Sequence, residues 1–253
     1  MIYTRPFITK HFIAYEGDSR VTELSLAVQV VDAFTSLAPD VPFDVRLKEL
    51  NFITPTRSIG GFFCFEGRQT VTVDGVALPP RISIPDGNYT LVVEPNPLYG
   101  NRYFLEGNSG DPGTTFERPV AIGPYATPVV LPLIPVRAPL EIVRLIPTPA
   151  YPFPSTATLV RGKVLQGGNV VAAAVVRTDY DEINPLDSTQ TVSVQVETFT
   201  DRGGEFVLFF KRLKDKSQPI TLQVVKNGPP FPVNPPITIT EGTTKNLGNI
   251  NLP

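Results

Sequence analysis

Proline constrains this chain more than any other residue. Twenty-eight of its 253 residues are proline, about twice average usage. A proline has a fixed φ and no backbone N–H, so it breaks helix interiors and is excluded from central strands. Helical periodicity is scarce, which leaves strands joined by stiff turns and extended segments. Hydrophobic residues make up 42% and charged residues 18%, the balance of a globular chain and not of a disordered one. The length is enough for two domains of ordinary size.

Between the prolines, apolar residues recur at every second position, as a half-buried strand requires. Leu24, Leu26, Val28 and Val30 form one such run, and the Thr, Ser, Pro and Asp of Asp32 to Asp40 end it in a turn. Phe43, Val45 and Leu47 follow, then Gly60-Gly61 leading into Phe62-Phe63-Cys64-Phe65, then Val71 and Val73, then Ile82 and Ile84. Pro85-Asp86-Gly87-Asn88 marks a turn before the strand Tyr89–Val93. Strands at this spacing predict a sandwich over residues 21–106, preceded by an N-terminal arm or edge strand over 1–20. Residues 107–154 are crowded with proline and with apolar residues such as Val129, Leu131, Ile142 and Leu145. They predict an extended connector that adds strands where proline is tolerated.

From residue 155 to 253 the strand pattern returns: Leu159–Val164, Val170–Val176, the alternating Val192, Val194 and Val196, then Glu205–Phe210, Ile220 to Val224 and Ile237 to Ile239. That is a second complete sandwich. Gly203-Gly204-Glu205-Phe206-Val207-Leu208 answers Gly60-Gly61-Phe62-Phe63-Cys64-Phe65, which predicts one shared topology for both halves.

The chemistry-bearing residues form no convincing constellation. His11 is the only histidine, and pairing it with the single Cys64 would make a nucleophile and base dyad. Cys64 lies in an aromatic strand, where a buried thiol is inert. Asp179, Asp181, Glu182 and Asp187 gather in one predicted acidic loop, but it lacks the glycine and closing glutamate of a calcium loop and reads as a solvated hairpin. Asp32 and Asp201 read as turn residues that accept hydrogen bonds from their own backbone. No phosphate loop, zinc spacing or nucleophile elbow is present; Gly107-Asn108-Ser109-Gly110 has the wrong context for the last. No cofactor and no metal are expected. A net charge of −2 with scattered basic residues, densest at Lys211–Lys216, gives no nucleic-acid footprint. The N-terminal residues lack a signal peptide's apolar core and no run is long enough for a membrane helix, so a cytoplasmic protein is expected, with incorporation into a particle left open.

The second half resembles the carboxypeptidase regulatory-like, or transthyretin-like, domain family. The matching residues are Arg161-Gly162-Lys163-Val164, then Ala172-Ala173-Ala174-Val175-Val176, then Thr198-Phe199-Thr200-Asp201-Arg202-Gly203-Gly204-Glu205-Phe206. That resemblance implies a Greek-key sandwich without catalytic residues. The segment Thr178–Gln190 departs from it, being longer than the family's usual loop. The whole chain also resembles accessory proteins of phage tail-like contractile injection systems. It does so through Val31–Thr35, Gly60–Phe65 and above all Leu145-Ile146-Pro147-Thr148-Pro149-Ala150-Tyr151-Pro152-Phe153-Pro154 ahead of Thr158–Gly162.

The reading is therefore all-β: two antiparallel Greek-key β-sandwiches, transthyretin-like or immunoglobulin-like, joined by a proline-rich extended segment. The expected role is a non-enzymatic assembly subunit, as a cap, collar or baseplate-associated component. Its partners are other protein subunits or further copies of itself, with no nucleic acid and no direct membrane insertion. Tyr3, Phe7, Phe12 and Tyr15 in the arm, with Tyr151 and Phe153 in the connector, are the candidate partner-binding residues. The alternative is a carbohydrate- or ligand-binding module stacking on Tyr99, Tyr103, Tyr125 and Tyr151, although the chain has no Trp. An enzyme acting through Asp179 and Asp181 comes last.

Overall fold

The computed structural model describes residues 10–15, 18–58, 61–73, 76–79, 81–96, 100–105, 115–123 and 140–253. Among them the only helical turns are the 3₁₀ segments Lys48–Leu50 and Gly100–Arg102. The rest is strand and turn. The first half opens with β1 (Lys10–Tyr15), β2 (Asp18–Asp32), β3 (Phe43–Leu47) and β4 (Thr56–Arg57). Then come β5 (Phe62–Val73), β6 (Val76–Ala77), β7 (Arg81–Ile82) and β8 (Gly87–Pro95). β9 (Tyr103–Leu105), β10 (Phe116–Ile122) and β11 (Leu140–Pro147) complete it.

These strands make a sandwich. One sheet runs β4-β5-β2-β11-β9, with β1 paired to β2 and the short β6 and β7 paired to β5; the other runs β10-β8-β3. Leu26, Val28, Val30, Phe63 and Phe65 from the first sheet meet Val45, Leu47, Leu91, Val93 and Phe116 from the second in one buried core. Two segments that the sequence places in the connector supply strands of this sandwich. β10 pairs with β8, and β11 lies between β2, with which it is parallel, and β9. Proline is tolerated there because Pro147 ends β11 and Pro119 of β10 sits on a strand with no second neighbour among the described residues.

The second half contains β12 (Thr158–Gln166), β13 (Asn169–Val170), β14 (Val175–Ile183), β15 (Thr191–Phe199) and β16 (Glu205–Phe210). It continues through β17 (Ser217–Ile220), β18 (Gln223–Val225), β19 (Phe231–Pro232), β20 (Ile237–Thr240) and β21 (Thr244–Leu252). β12 is flanked by β16, β13 and β21 in one sheet, while the other runs β15-β14-β18-β19 and β17 pairs with β20. Val160, Val164, Val176, Phe206, Leu208 and Leu222 are at the centre of its core.

The shared topology expected from the Gly-Gly repeat is present. In each half the opening strand pairs antiparallel with the Gly-led aromatic strand (β2 with β5, β12 with β16) and parallel with the last strand (β2 with β11, β12 with β21). The described bonds of the turns into the aromatic strands correspond. Gly61 N–H donates to Ser58 O at 3.0 Å and Gly204 N–H to Asp201 O at 2.9 Å, and both glycines have positive φ, +78° and +75°. The side chain of Ser58 accepts from Phe62 N–H, and that of Asp201 from Glu205 N–H. At Gly204 a Cβ would lie 2.8 Å from the carbonyl oxygen of Val164, so only glycine fits.

One expected strand is two. Val170–Val176 breaks after Val170, because Ala173 takes φ +58° and its N–H donates to Thr200 O. Thr200, fully buried, fills the gap: its hydroxyl accepts from Ala174 N–H and donates to Val171 O.

Candidate functional site

β2 ends at Asp32, where the chain turns sharply. Oδ1 of Asp32 accepts from Phe34 N–H at 2.7 Å and Thr35 N–H at 3.1 Å, and its carbonyl accepts from Ser36 N–H. This is the turn role expected of Asp32. It also aims Phe34 at the second sandwich. The link between the halves, residues 148–157, is pinned to the first by Thr148, whose N–H donates to Arg102 O and whose hydroxyl donates to Asn101 O. Past it, Tyr151 and Phe153 pack edge-on against each other at 4.7 Å and against Phe34 at 6.0 and 5.1 Å. Phe209 of β16 closes the group at 5.5 Å from Phe34. These rings cover Ala157, Leu159 and Val207 on the outer face of the second sandwich. Arg161 clamps the link, donating to Pro149 O at 2.9 Å with its guanidinium 5.6 Å from the Phe153 ring centre.

The second oxygen of Asp32 is what ties this group to the first core. Tyr151 donates its O–H to Oδ2 at 2.7 Å, and Tyr103 of β9 donates to the same oxygen at 3.0 Å. The carboxylate is 2% exposed and has four donors, so its buried charge is fully hydrogen-bonded. Burial, with the Asp32 charge beside them, pushes both phenols well above the usual tyrosine range and keeps them protonated as donors.

A second patch joins the halves where Phe104 and Ile146 of the first meet Phe199 and Val175 of the second; the Phe104 and Phe199 rings are 5.8 Å apart. Between the two patches lies a cleft of about 430 Å³, bounded by Arg144 and Ile146 on one side and by β15, Tyr180 and Lys211 on the other. Lys211 donates from Nζ to Ser36 Oγ at 2.8 Å, across the two halves. Burial pulls its pKa down, Glu182 and Asp32 pull it back, and Arg144 lowers it further.

Of the candidate partner-binding residues, Tyr151 and Phe153 are half-buried in this junction and their ring contacts lie within the chain. Tyr3 and Phe7, like Tyr99, Tyr125 and the Gly107–Gly110 run, lie outside the described residues; so do the side chains of Phe12 and Tyr15, whose backbone forms β1. Phe34, Arg161 and Phe209 are junction residues that sequence reasoning did not single out as candidates, and Tyr103 was one only for ligand stacking. Only Phe34, a bulky ring in a polar turn, carried a local signal.

The acidic group does not converge. Asp179, Asp181 and Glu182 stand on β14 and not in a loop, and the loop proper begins at Asn184. Alternation sends Asp181 to one face, 3.8 Å from Lys214, and Glu182 to the other, where it accepts from Tyr180 O–H. Asp187 accepts from its own turn at Thr189, which holds its carboxyl below the usual range. Among the described residues no three metal-ligating side chains gather. His11 lies opposite Thr22, which lies opposite Gln69, so five strand positions separate its row from Cys64, roughly 15 Å along the sheet. Burial raises the Cys64 thiol. No dyad forms.

The fold defines an all-β protein of two packed sandwiches, with no helix among the described residues long and apolar enough to cross a membrane. No protein-family model and no curated protein matches the chain. Solved structures overlap it distantly. They include a Streptococcal ancillary pilin (14% identity, 93% of this chain and 63% of that one, TM-score 0.22). The shaft pilin SpaA of Lactobacillus rhamnosus GG overlaps at 9% identity, with 91% and 96% covered and a TM-score of 0.25. The Bacillus anthracis TIE protein does so at 13% identity, with 93% and 41% covered and a TM-score of 0.21. The chain thus spans less than two thirds of the ancillary pilin, and overlaps this weak carry no argument about what it does.

Proposed function

We propose that this chain is a non-enzymatic structural subunit that binds other proteins of a large assembly, as a cap, collar or baseplate-associated component of a phage tail-like contractile injection system. The observation that carries the reading is the junction. Two sandwiches are joined through a buried carboxylate, two phenols and an aromatic cluster, and this makes them a single packed spacer. Spacing two surfaces at a fixed angle is useful to an assembly, and the titratable groups that do gather, Asp32 with Tyr103 and Tyr151, are spent on bonds to one another inside the junction. The particular assembly rests on the sequence resemblance around Leu145–Pro154, and the second sandwich's identity on the resemblance to carboxypeptidase regulatory-like domains.

β1 extends the β2–β5 sheet on the side of β2 that β11 fills further along, which suits an arm that docks by strand addition. Co-expression with sheath, tube and baseplate proteins tests the proposal: the tagged chain is expected to purify with the particle, and a variant lacking residues 1–16 to fold but stay free. A full-length chain that purifies alone overturns it. The glycan-binding alternative loses Tyr103, which is 1% exposed, and finds Tyr151 already bonded to Asp32.

A further inference from the structure

Asn227 is the one asparagine of this chain that precedes a glycine. It stands at the exposed tip of the turn from β18 to β19, with φ +51°, a left-handed conformation that asparagine tolerates. Among the described residues its side chain makes no hydrogen bond, and the Gly228 N–H meets no acceptor. Gly228 is exposed too, and with no Cβ its peptide nitrogen is open to close approach. By contrast, Asn184 precedes Pro185, whose nitrogen carries no hydrogen, and Asn246 precedes Leu247 and accepts from Gly248 N–H.

The two ends of this turn are held unequally. On the β18 side Lys226 donates from Nζ to the carbonyls of Ala172 at 2.7 Å and Ala173 at 3.3 Å, and every residue of β18 pairs with β14. On the other side β19 has two paired positions, Phe231 opposite Val224 and Pro232 opposite Gln223, followed by a bond from Val233 N–H to Leu222 O. A change in the length of the turn is therefore taken up by β19.

We propose that Asn227–Gly228 is a site of spontaneous covalent modification that loosens β19 as the protein ages. The Gly228 nitrogen attacks the side-chain amide carbon of Asn227: an N–Cγ bond forms, the Cγ–Nδ2 bond breaks, and ammonia leaves with the Gly228 proton. Water then opens the five-membered imide at one of its two carbonyls. Breaking the new N–Cγ bond gives aspartate. Breaking the original peptide bond gives isoaspartate, whose main chain runs through the side chain and is longer by one carbon. One water is consumed and one ammonia released, without an oxidant, and this is the chemistry that makes asparagine thermolabile. The inference stands apart from the assembly reading and holds or fails without it.

The test follows the full chain in warm, mildly alkaline buffer, beside the variants Gly228→Ala and Asn227→Gly. Both suit the backbone: among the described residues a Cβ at 228 would meet only the Lys226 carbonyl oxygen, at 3.8 Å, and glycine accepts the positive φ at 227. Peptide mapping by mass spectrometry is expected to show Asn227 converting to its acid about tenfold faster than Asn169 or Asn246. An isoaspartyl methyltransferase is expected to label the peptide that holds it. Gly228→Ala should slow the conversion about tenfold by crowding the nucleophile, and Asn227→Gly should abolish the label there. Hydrogen exchange at the Phe231 and Val233 amides is expected to quicken in the aged chain and to stay constant in aged Asn227→Gly. Conversion no faster at Asn227 than at Asn246, or conversion in the urea-unfolded chain but not in the folded one, overturns the proposal on the unmodified chain, whether or not the variants fold. Full conversion with unchanged exchange at Phe231 and Val233 overturns the loosening of β19.

Discussion

The two sandwiches share a plan and differ at its margins. Both place the opening strand at the centre of a sheet, between the glycine-led aromatic strand and a parallel last strand. Both face that sheet with an antiparallel one in which the second main strand pairs with a later one, β3 with β8 and β14 with β18. The first half then lengthens its central pair: β2 and β5 run on past two register shifts near Leu24 and receive β1, β6 and β7. The second half keeps its central sheet short and gives β14 a partner, β15, that β3 lacks among the described residues. The cores hold to one blueprint while each margin offers a different edge.

That comparison can be broken most directly through the cores. Phe65 and Phe206 occupy matching aromatic strands at 0% and 1% exposure, and Phe65→Ala and Phe206→Ala should each cost about 3–5 kcal/mol. If the junction makes the halves one cooperative unit, denaturant melts of both variants show a single shifted transition; two transitions would mean that the sandwiches are only tethered. Asp32→Ala should cost about 3 kcal/mol, because two phenols and two backbone N–H groups lose their acceptor. It should also resolve the melt into separate steps for each half.

Gly162→Ala sharpens the comparison within the second half. A Cβ there would sit 2.8 Å from the Phe206 ring, at the position where the β12–β21 register shifts. Overpacking of this kind should cost about 1–3 kcal/mol, while Gly123→Ala at the end of β10, where none of the described residues lies within 4 Å, should change stability by less than about 0.5 kcal/mol. The smallest effect is a pH dependence. Burial raises the pKa of Tyr103, Tyr151 and Tyr180 above their ordinary value of 10.0. The unfolded phenols therefore ionise first, and stability that is complete below pH 10 declines as pH rises above it. Unfolding free energy measured at pH 9 and pH 11 should fall, and Tyr103→Phe should flatten the fall.

Much of this fold was legible because alternation is a local property. Leu26, Val28 and Val30 announced a half-buried strand, and the glycines before Phe62 and Glu205 announced equivalent turns. The place of β11 was not legible. Leu140–Pro147 reads as extended chain beside prolines, and nothing within it says that β2 is its neighbour, since a parallel partner more than a hundred residues away leaves no mark on either strand. Asp32 was half legible. Its bonds to Phe34 and Thr35 follow from a turn, whereas those to Tyr103 and Tyr151 span 71 and 119 residues and depend on the finished fold. Tyr151 and Phe153 show the same limit: aromatic rings among prolines declare that they will be covered, and not by what. The acidic group reads as a loop because charge clusters usually mark turns, whereas three of its four members stand on β14, where strand alternation sends Asp181 and Glu182 to opposite faces.

The parallel pairing of β11 with β2 has a consequence for synthesis. β11 is the last strand of its sandwich to be made, yet it fills an inner slot between two strands made long before. Until residue 147 clears the ribosome, the nascent half is a sheet with a plank missing, its open flank on β2 free to take a strand from the wrong chain. Slow translation or a pause before Leu140 should therefore raise the yield of misjoined chains, and a chaperone that shields the flank of β2 should lower it.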